Sequence, residues 1–266
     1  FVIPGHGWKR VFIVPTGLSG ALMELFLRLL LGHMVGDYIL QTGYVARAKA
    51  ESWRGLLLHV SIVSATMALA TIGILSWPWW VFLGLAHLFI DGMRTYVIGD
   101  TGRWGWLYIL ADQATHLLVL WFVAFQVQPE TLSWATLHHP TAMEVLISYT
   151  IGVIFLIWTV PVLEVQGYAA LARKGEIVHS TYLPVTRRAR LTGALERLSA
   201  LLLLLTPLAA LVLLIFLPNF YRQWQNKEAR YAQRLIVPAT SLLCTLLVGT
   251  VFSYMALPLP WTYVLR

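Results

Sequence analysis

Charge is what this sequence has least of. Only 12% of its 266 residues are Asp, Glu, Lys or Arg, against roughly 25% in a water-soluble domain, while 58% are hydrophobic and the mean hydropathy is +0.71. That balance excludes soluble globular, disordered, coiled-coil and collagen-like classes and leaves a chain that resides in a bilayer. Cysteine is nearly absent as well. Cys244 stands alone in an apolar run, which excludes an intrachain disulfide and any zinc site built on thiolates. No Gly-rich phosphate loop, nucleophile elbow or His-Glu-x-x-His motif is present, so any chemistry must come from dispersed His, Asp, Gln and Lys. The net charge of +7 does not point to nucleic acid, because an excess of Lys and Arg in a membrane protein belongs to its cytoplasmic loops.

About 20 apolar residues are needed for a helix to cross a membrane. Runs of this kind near 19–42, 55–76, 79–98, 105–127, 143–165, 197–217 and 236–257 predict an all-α integral membrane protein of about seven transmembrane helices. The expected organisation is an irregular N-terminal arm at 1–18, a four-helix up-down membrane bundle at 19–128, and three further membrane helices at 143–266 with a basic cytoplasmic loop at 166–196. Arg47, Lys49 and Arg54 follow the first span, Arg94 and Arg103 flank the turn after the third, and Arg173, Lys174, Arg187, Arg188, Arg190 and Arg197 follow the fifth. The positive-inside rule then puts the N-terminus outside and the C-terminus inside. Arg222, Lys227, Arg230 and Arg234 dissent, since they follow the sixth span on the nominal outside. They predict either an amphipathic interfacial helix or a misread sixth span.

Ionisable residues within spans are costly and mark functional sites. The first span carries His33 and Asp37 with Gln41 a turn further, the second His59, the third His87 and Asp91, and the fourth Asp112, Gln113 and His116. Of the chain's aspartates, Asp37, Asp91 and Asp112 each lie four residues from a histidine, which puts carboxylate and imidazole on one helix face. Such a pair can ligate one ion together, or the carboxylate can orient the imidazole. Counted from the cytoplasmic ends of the spans at 1.5 Å per residue, the depths of Asp37, His59, Asp91 and Asp112 agree within about one turn, with His33, His87 and His116 about one turn deeper. The pattern predicts a polar layer in the cytoplasmic half of the bundle, with side chains projecting inward as metal ligands do in bundle cores. His33, Asp37, His87, Asp91 and His116 are the leading ligands, and His59 and Asp112 stand either directly on the ion or behind it. Without thiolates the donor set suits one or two zinc, manganese or iron ions, while haem or pigment needs no carboxylate a turn from each histidine. An ion with an open position activates water for hydrolysis. Gln41, Lys49 and Gln113, near the cytoplasmic mouth, are candidates for holding an oxyanion or a headgroup phosphate. His6, His138, His139 and His179 read as loop residues.

The motifs His33-x-x-Gly36-Asp37-Tyr38-x-x-Gln41, Lys49, Leu-Leu-His59, His87-x-x-x-Asp91 and Asp112-Gln113-x-x-His116 together resemble the domain-of-unknown-function 3307 family over roughly residues 25–125. Tyr38 stands where Phe is more usual after the aspartate. Gly193-Ala194-Leu195-Glu196-Arg197 is similar to a Gly-x-Leu-Glu-Arg element of longer members. The resemblance implies a protein of the bacterial inner membrane, in contact with lipids and with other membrane subunits as possible partners. A more distant similarity to predicted membrane-bound metal-dependent hydrolases implies hydrolysis of a lipid-like substrate from the cytoplasmic side. The competing expectation is a non-catalytic accessory subunit of a larger, energy-transducing complex whose His and Asp layer is structural or binds a redox group. A proton or metal transporter ranks third, because the outer halves of the first four spans carry few polar groups beyond Ser61, Ser64 and Thr66.

Overall fold

The computed structural model describes residues 18–99, 105–128, 140–171, 187–225 and 231–256. The arm expected at 1–17, and His6, His138, His139 and His179, lie outside the described residues. Among the described residues every regular element is helical. These are α1 (Leu18–Met34), α2 (Gly43–Glu51), α3 (Trp53–Ala70), α4 (Trp77–Gly92), α5 (Gly105–Val127), α6 (Ala142–Ile154), α7 (Val160–Ala170), α8 (Arg187–Leu204), α9 (Val212–Gln225) and α10 (Tyr231–Ala256). π-Helical turns at Val35–Ile39 and Met93–Ile98 extend α1 and α4, and a third at Phe155–Thr159 joins α6 to α7 into one rod. The third has a local cause: Pro161 has no amide to give the carbonyl four residues earlier.

Five helices are long and apolar enough to cross a membrane: Trp53–Ala70, Trp77–Ile98, Leu107–Val127, Ala142–Tyr168 and Arg234–Ser253. α1 with its π-turn carries Glu24, Arg28 and Asp37 and is not among them. Caps fix where the rods start. The Ser52 hydroxyl accepts from the Gly55 amide, and Thr141 and Glu144 form a reciprocal capping box at α6.

α1 runs antiparallel to α3 at very short range. A β-carbon at Gly32 would lie 2.7 Å from the Met67 Cα, and one at Gly36 would lie 2.7 Å from the Val63 Cα. The Gly32-x-x-x-Gly36 spacing therefore sets how close the two backbones come, as small residues do where membrane helices touch. α4 packs antiparallel on α3, with Gly84 against Ser64 and His87 against His59. α5 pairs Phe122 with Phe82 of α4 and Trp121 with Phe26 of α1. Leu25, Leu29, Val63, Met67, Leu83, Leu120 and Val123 fill one half of the space between these four helices. The other half is polar.

The α6–α7 rod and α10 are also antiparallel, since Gly167 meets Ile236 while Gly152 meets Val248 and Phe252. Leu156, Val160, Leu201, Val248 and Phe252 form their shared core. The span expected at 197–217 is not one helix: the chain turns at Leu205–Leu208, where Pro207 ends α8, and continues through a short 3-10 turn into α9. A hydropathy window cannot see such a break, because the leucines on either side of Thr206 and Pro207 keep its average high. The basic loop expected at 166–196 has helical ends, α7 reaching Ala170 and α8 starting at Arg187. Arg197, counted with that loop, is instead buried to 1% exposure, with Nε donating to the Leu156 carbonyl at 2.6 Å and Nη1 to Glu164 Oε1 and Ser241 Oγ at 3.0 Å each.

Candidate metal centre

Each of the seven His and Asp side chains comes from a face that the packing turns inward. Asp37 sits within the π-turn that extends α1, and Asp91 lies in the last turn of α4, two residues before the π-turn that extends it. Extra residues of this kind re-aim side chains and recur at functional sites. His33, His59, His87, Asp91, Asp112 and His116 are all buried.

Four atoms converge. His59 Nε2 lies 3.2 Å from Asp37 Oδ1, 3.1 Å from Asp91 Oδ2 and 3.2 Å from His87 Nε2. His87 Nε2 in turn lies 3.5 Å from Asp37 Oδ1 and 3.2 Å from Asp91 Oδ2. Ligand atoms of a four-coordinate zinc ion, with bonds of about 2.0–2.1 Å, stand about 3.3–3.4 Å apart. The spacings among His59, His87 and Asp91, whose donor atoms form one set, are 3.1–3.2 Å, just under that value, with Asp37 against both imidazoles. Two imidazole nitrogens facing each other between two carboxylates must share protons or a cation.

Charge supports the same conclusion. Asp91 has the Lys49 ammonium at 2.6 Å and Asp112 has the Arg94 guanidinium at 3.5 Å. Asp37 touches only imidazoles, His33 at 3.5 Å besides His59 and His87, and no Lys or Arg among the described residues reaches ion-pair distance of it. A buried carboxylate without a counter-charge costs several kcal/mol. An imidazolium or a metal ion is needed to complete the balance.

The remaining groups surround this point. The His116 ring packs at a tilt against His87 at 4.6 Å and against His33 at 4.9 Å between centroids. His116 Nδ1 lies 2.9 Å from the Asp112 carbonyl oxygen, which can only accept, so Nδ1 carries a proton and in the neutral ring Nε2 keeps its lone pair. Three sets could each hold an ion: His33, Asp37 and His87; His59, His87 and Asp91; and Asp91, Asp112 and His116. Asp91 belongs to two of them and is placed to bridge. The Nδ1 atoms of His59 and His87 are buried without hydrogen-bond partners, so the orienting bond that ligating imidazoles usually make is lacking here.

All seven predicted side chains therefore meet, and His59, ranked behind five others in the sequence, lies at the centre. Lys49 is brought in by α2, which folds so tightly onto α3 that a β-carbon at Gly55 would fall 1.9 Å from the Ala48 carbonyl oxygen. The Tyr96 hydroxyl, donating to the Lys49 carbonyl at 3.1 Å, ties this end of α2 to the second π-turn. Gln113 supports rather than faces the site: its Nε2 donates to Asp112 Oδ2 at 3.1 Å, and its Oε1 accepts from the Tyr38 hydroxyl at 3.0 Å. Gln41 is partly exposed and has no hydrogen bond or ion pair to the cluster. Sequence reasoning missed Tyr38, Arg94 and the pair Gly32 and Gly36. The Gly-x-x-x-Gly spacing was a readable signal for the last.

These features define a helical membrane-type protein with a buried His and Asp cluster suited to holding a metal ion. Residues 25–145, the segment that holds the whole cluster, match the model of the family described as protein of unknown function (DUF3307). No curated protein and no solved structure matches the chain.

Proposed function

We propose that the protein is a multi-pass metalloprotein of the bacterial inner membrane that binds one or two divalent transition ions and hydrolyses an ester or phosphoester of a lipid-like substrate. The observation that carries this reading is the convergence of His59, His87, Asp37 and Asp91 at the spacing of metal ligands. In this reading α1, α3, α4 and α5 form an up-down bundle with α1 entering from outside, so the cluster faces the cytoplasmic leaflet. A bound ion supplies Lewis acidity. Lys49, at the rim and held by Asp91, is placed to exchange that carboxylate for a substrate phosphate or oxyanion. Tyr38 and Gln113 hold Asp112 in position, and the Arg94 guanidinium faces it at 3.5 Å. An open apolar groove of about 480 Å³ between α3 and α4, bordered by Leu57, Val60, Ser64, Gly84 and Leu88, suits an acyl or isoprenoid chain.

A second reading has one observation in its favour. The cavity against His33, His87 and His116 measures about 10 Å³, room for about one water and no substrate. An accessory subunit with a structural or redox-active ion would need no more. Metal titration and lipid turnover of wild type beside Lys49→Met separate the two. Hydrolysis requires turnover that Lys49→Met loses while binding the ion as tightly or more tightly, because a positive charge beside the site is gone. A bound ion with no turnover on phospholipid or isoprenoid phosphoesters, and fixed-stoichiometry copurification with other subunits, would favour the accessory role.

A further inference from the structure

We infer that α8, the turn at Pro207 and α9 form a re-entrant hairpin, which enters the leaflet on the basic face and returns to that face without crossing. Antiparallel packing of α10 on the α6–α7 rod carries the inference. Gly167 meets Ile236 and Tyr149 meets Phe252, at 4.3 Å between ring centroids, so α10 begins on the side where α7 ends. Both rods are long and apolar enough to cross a membrane. The chain between them must therefore cross an even number of times, and a single span at 197–217 is excluded.

The hairpin has the chemistry that insertion requires. Its tip is apolar and unpartnered, with Leu205, Leu208 and Leu211 exposed at 44%, 55% and 44%. The polar backbone at the tip is satisfied from within: the Thr206 hydroxyl donates to the Leu203 carbonyl and accepts from the Leu208 amide, the Ala209 amide bonds the Thr206 carbonyl, and Pro207 has no amide to satisfy. Hydrocarbon demands this of any irregular backbone. An ion pair between Glu196 on α8 and Arg222 on α9 joins the two legs at one level. α8 runs alongside α10, with Arg197 meeting Ser241 and a β-carbon at Gly249 falling 2.6 Å from Leu204 Cδ1, so the tip lies about 12 Å deeper than Arg197 at 1.5 Å per residue and past the middle of the Arg234–Ser253 span. The occupant of the outer face is lipid acyl chain, which the exposed leucines meet, and Arg197, bonded to α7 and α10, anchors the hairpin to the spans.

The hairpin also removes the dissent in the charge pattern. Arg222 and Arg234 return to the face of Arg190, as the positive-inside rule asks. α10 then ends on the face where α6 begins, the opposite of the side expected from seven crossings.

Cys244 is the sole cysteine and is buried, so a Cys244→Ala background allows single-cysteine mapping. Ala142→Cys, Arg190→Cys, Leu208→Cys and Gln225→Cys would be treated with a membrane-impermeant maleimide in right-side-out and inside-out vesicles, with labelling after detergent denaturation as the control. Arg190→Cys and Gln225→Cys are expected to label from one side and Ala142→Cys from the other, with Leu208→Cys protected from both. Labelling of Gln225→Cys from the side of Ala142→Cys would mean that the segment crosses. Labelling of Leu208→Cys from either aqueous side would mean that the tip does not lie in hydrocarbon. Either result overturns the hairpin.

Discussion

Gly36→Ala tests whether helix contact sets the geometry of the cluster. The added β-carbon would lie 2.7 Å from Val63 Cα, 2.8 Å from Thr66 Oγ1 and 2.9 Å from Val63 Cγ2. Carbon atoms rest about 3.5–4.0 Å apart, so α1 and α3 must separate by about 1 Å. The neighbouring Asp37 moves with α1, and its 3.2 Å contact to His59 opens to about 4 Å, beyond the roughly 0.2 Å tolerance of metal–ligand distances. Overpacking of this kind costs about 1–3 kcal/mol. Metal affinity should accordingly fall at least about tenfold, which is about 1.4 kcal/mol. The assay is competitive titration against a chromophoric chelator in detergent, with Gly43→Ala as control, because a β-carbon there meets nothing within 4 Å. Equal affinities in the two variants, with helicity unchanged, would refute the claim that the glycine contact positions Asp37.

Three further outcomes are expected. Tyr38→Phe removes the donor to Gln113 and should lower stability by about 0.5–1.5 kcal/mol while leaving metal content intact, read from thermal unfolding and elemental analysis; loss of the ion would mean that Tyr38 does more than orient Gln113. Arg197→Leu strands Glu164 and the Leu156 carbonyl in the interior and should cost about 3–5 kcal/mol, with Arg197→Leu/Glu164→Gln recovering part of it; a single-variant cost under about 1 kcal/mol, read from reversible unfolding in mixed micelles, would contradict the burial of this pair. Chelation should destabilise the folded protein by about 2.7 kcal/mol relative to an ion concentration 100 times Kd, and an unfolding midpoint indifferent to chelator would count against a bound ion.

The site was legible in sequence because its signal is local. The pairs His33 and Asp37, His87 and Asp91, and Asp112 and His116 are one helical turn apart, and i, i+4 spacing alone puts each on one face. The central position of His59 was not legible, because it has no acidic neighbour on its own helix and gains Asp37 and Asp91 only through contacts across α1 and α4. The π-turns at Val35–Ile39 and Met93–Ile98 carry no composition that distinguishes them from ordinary helix. Arg197 misled in the opposite sense, since a basic residue at the edge of an apolar run reads as a loop charge, whereas three acceptors, from the π-turn between α6 and α7, from α7 and from α10, keep it buried. The same run of leucines that suggested a span at 197–217 conceals a turn whose polar groups are satisfied by Thr206.

Metal content is the most direct test of the central claim. The protein, purified in detergent without chelators, would be measured by elemental analysis beside Asp37→Ala/Asp91→Ala, with circular dichroism to establish that the variant keeps its helices. A centre of this geometry predicts about one to two equivalents of a divalent transition ion in the wild type, lost in the folded variant. Wild type free of metal and unable to bind added zinc, manganese or iron would contradict it, and would make the four converging atoms a proton-sharing network.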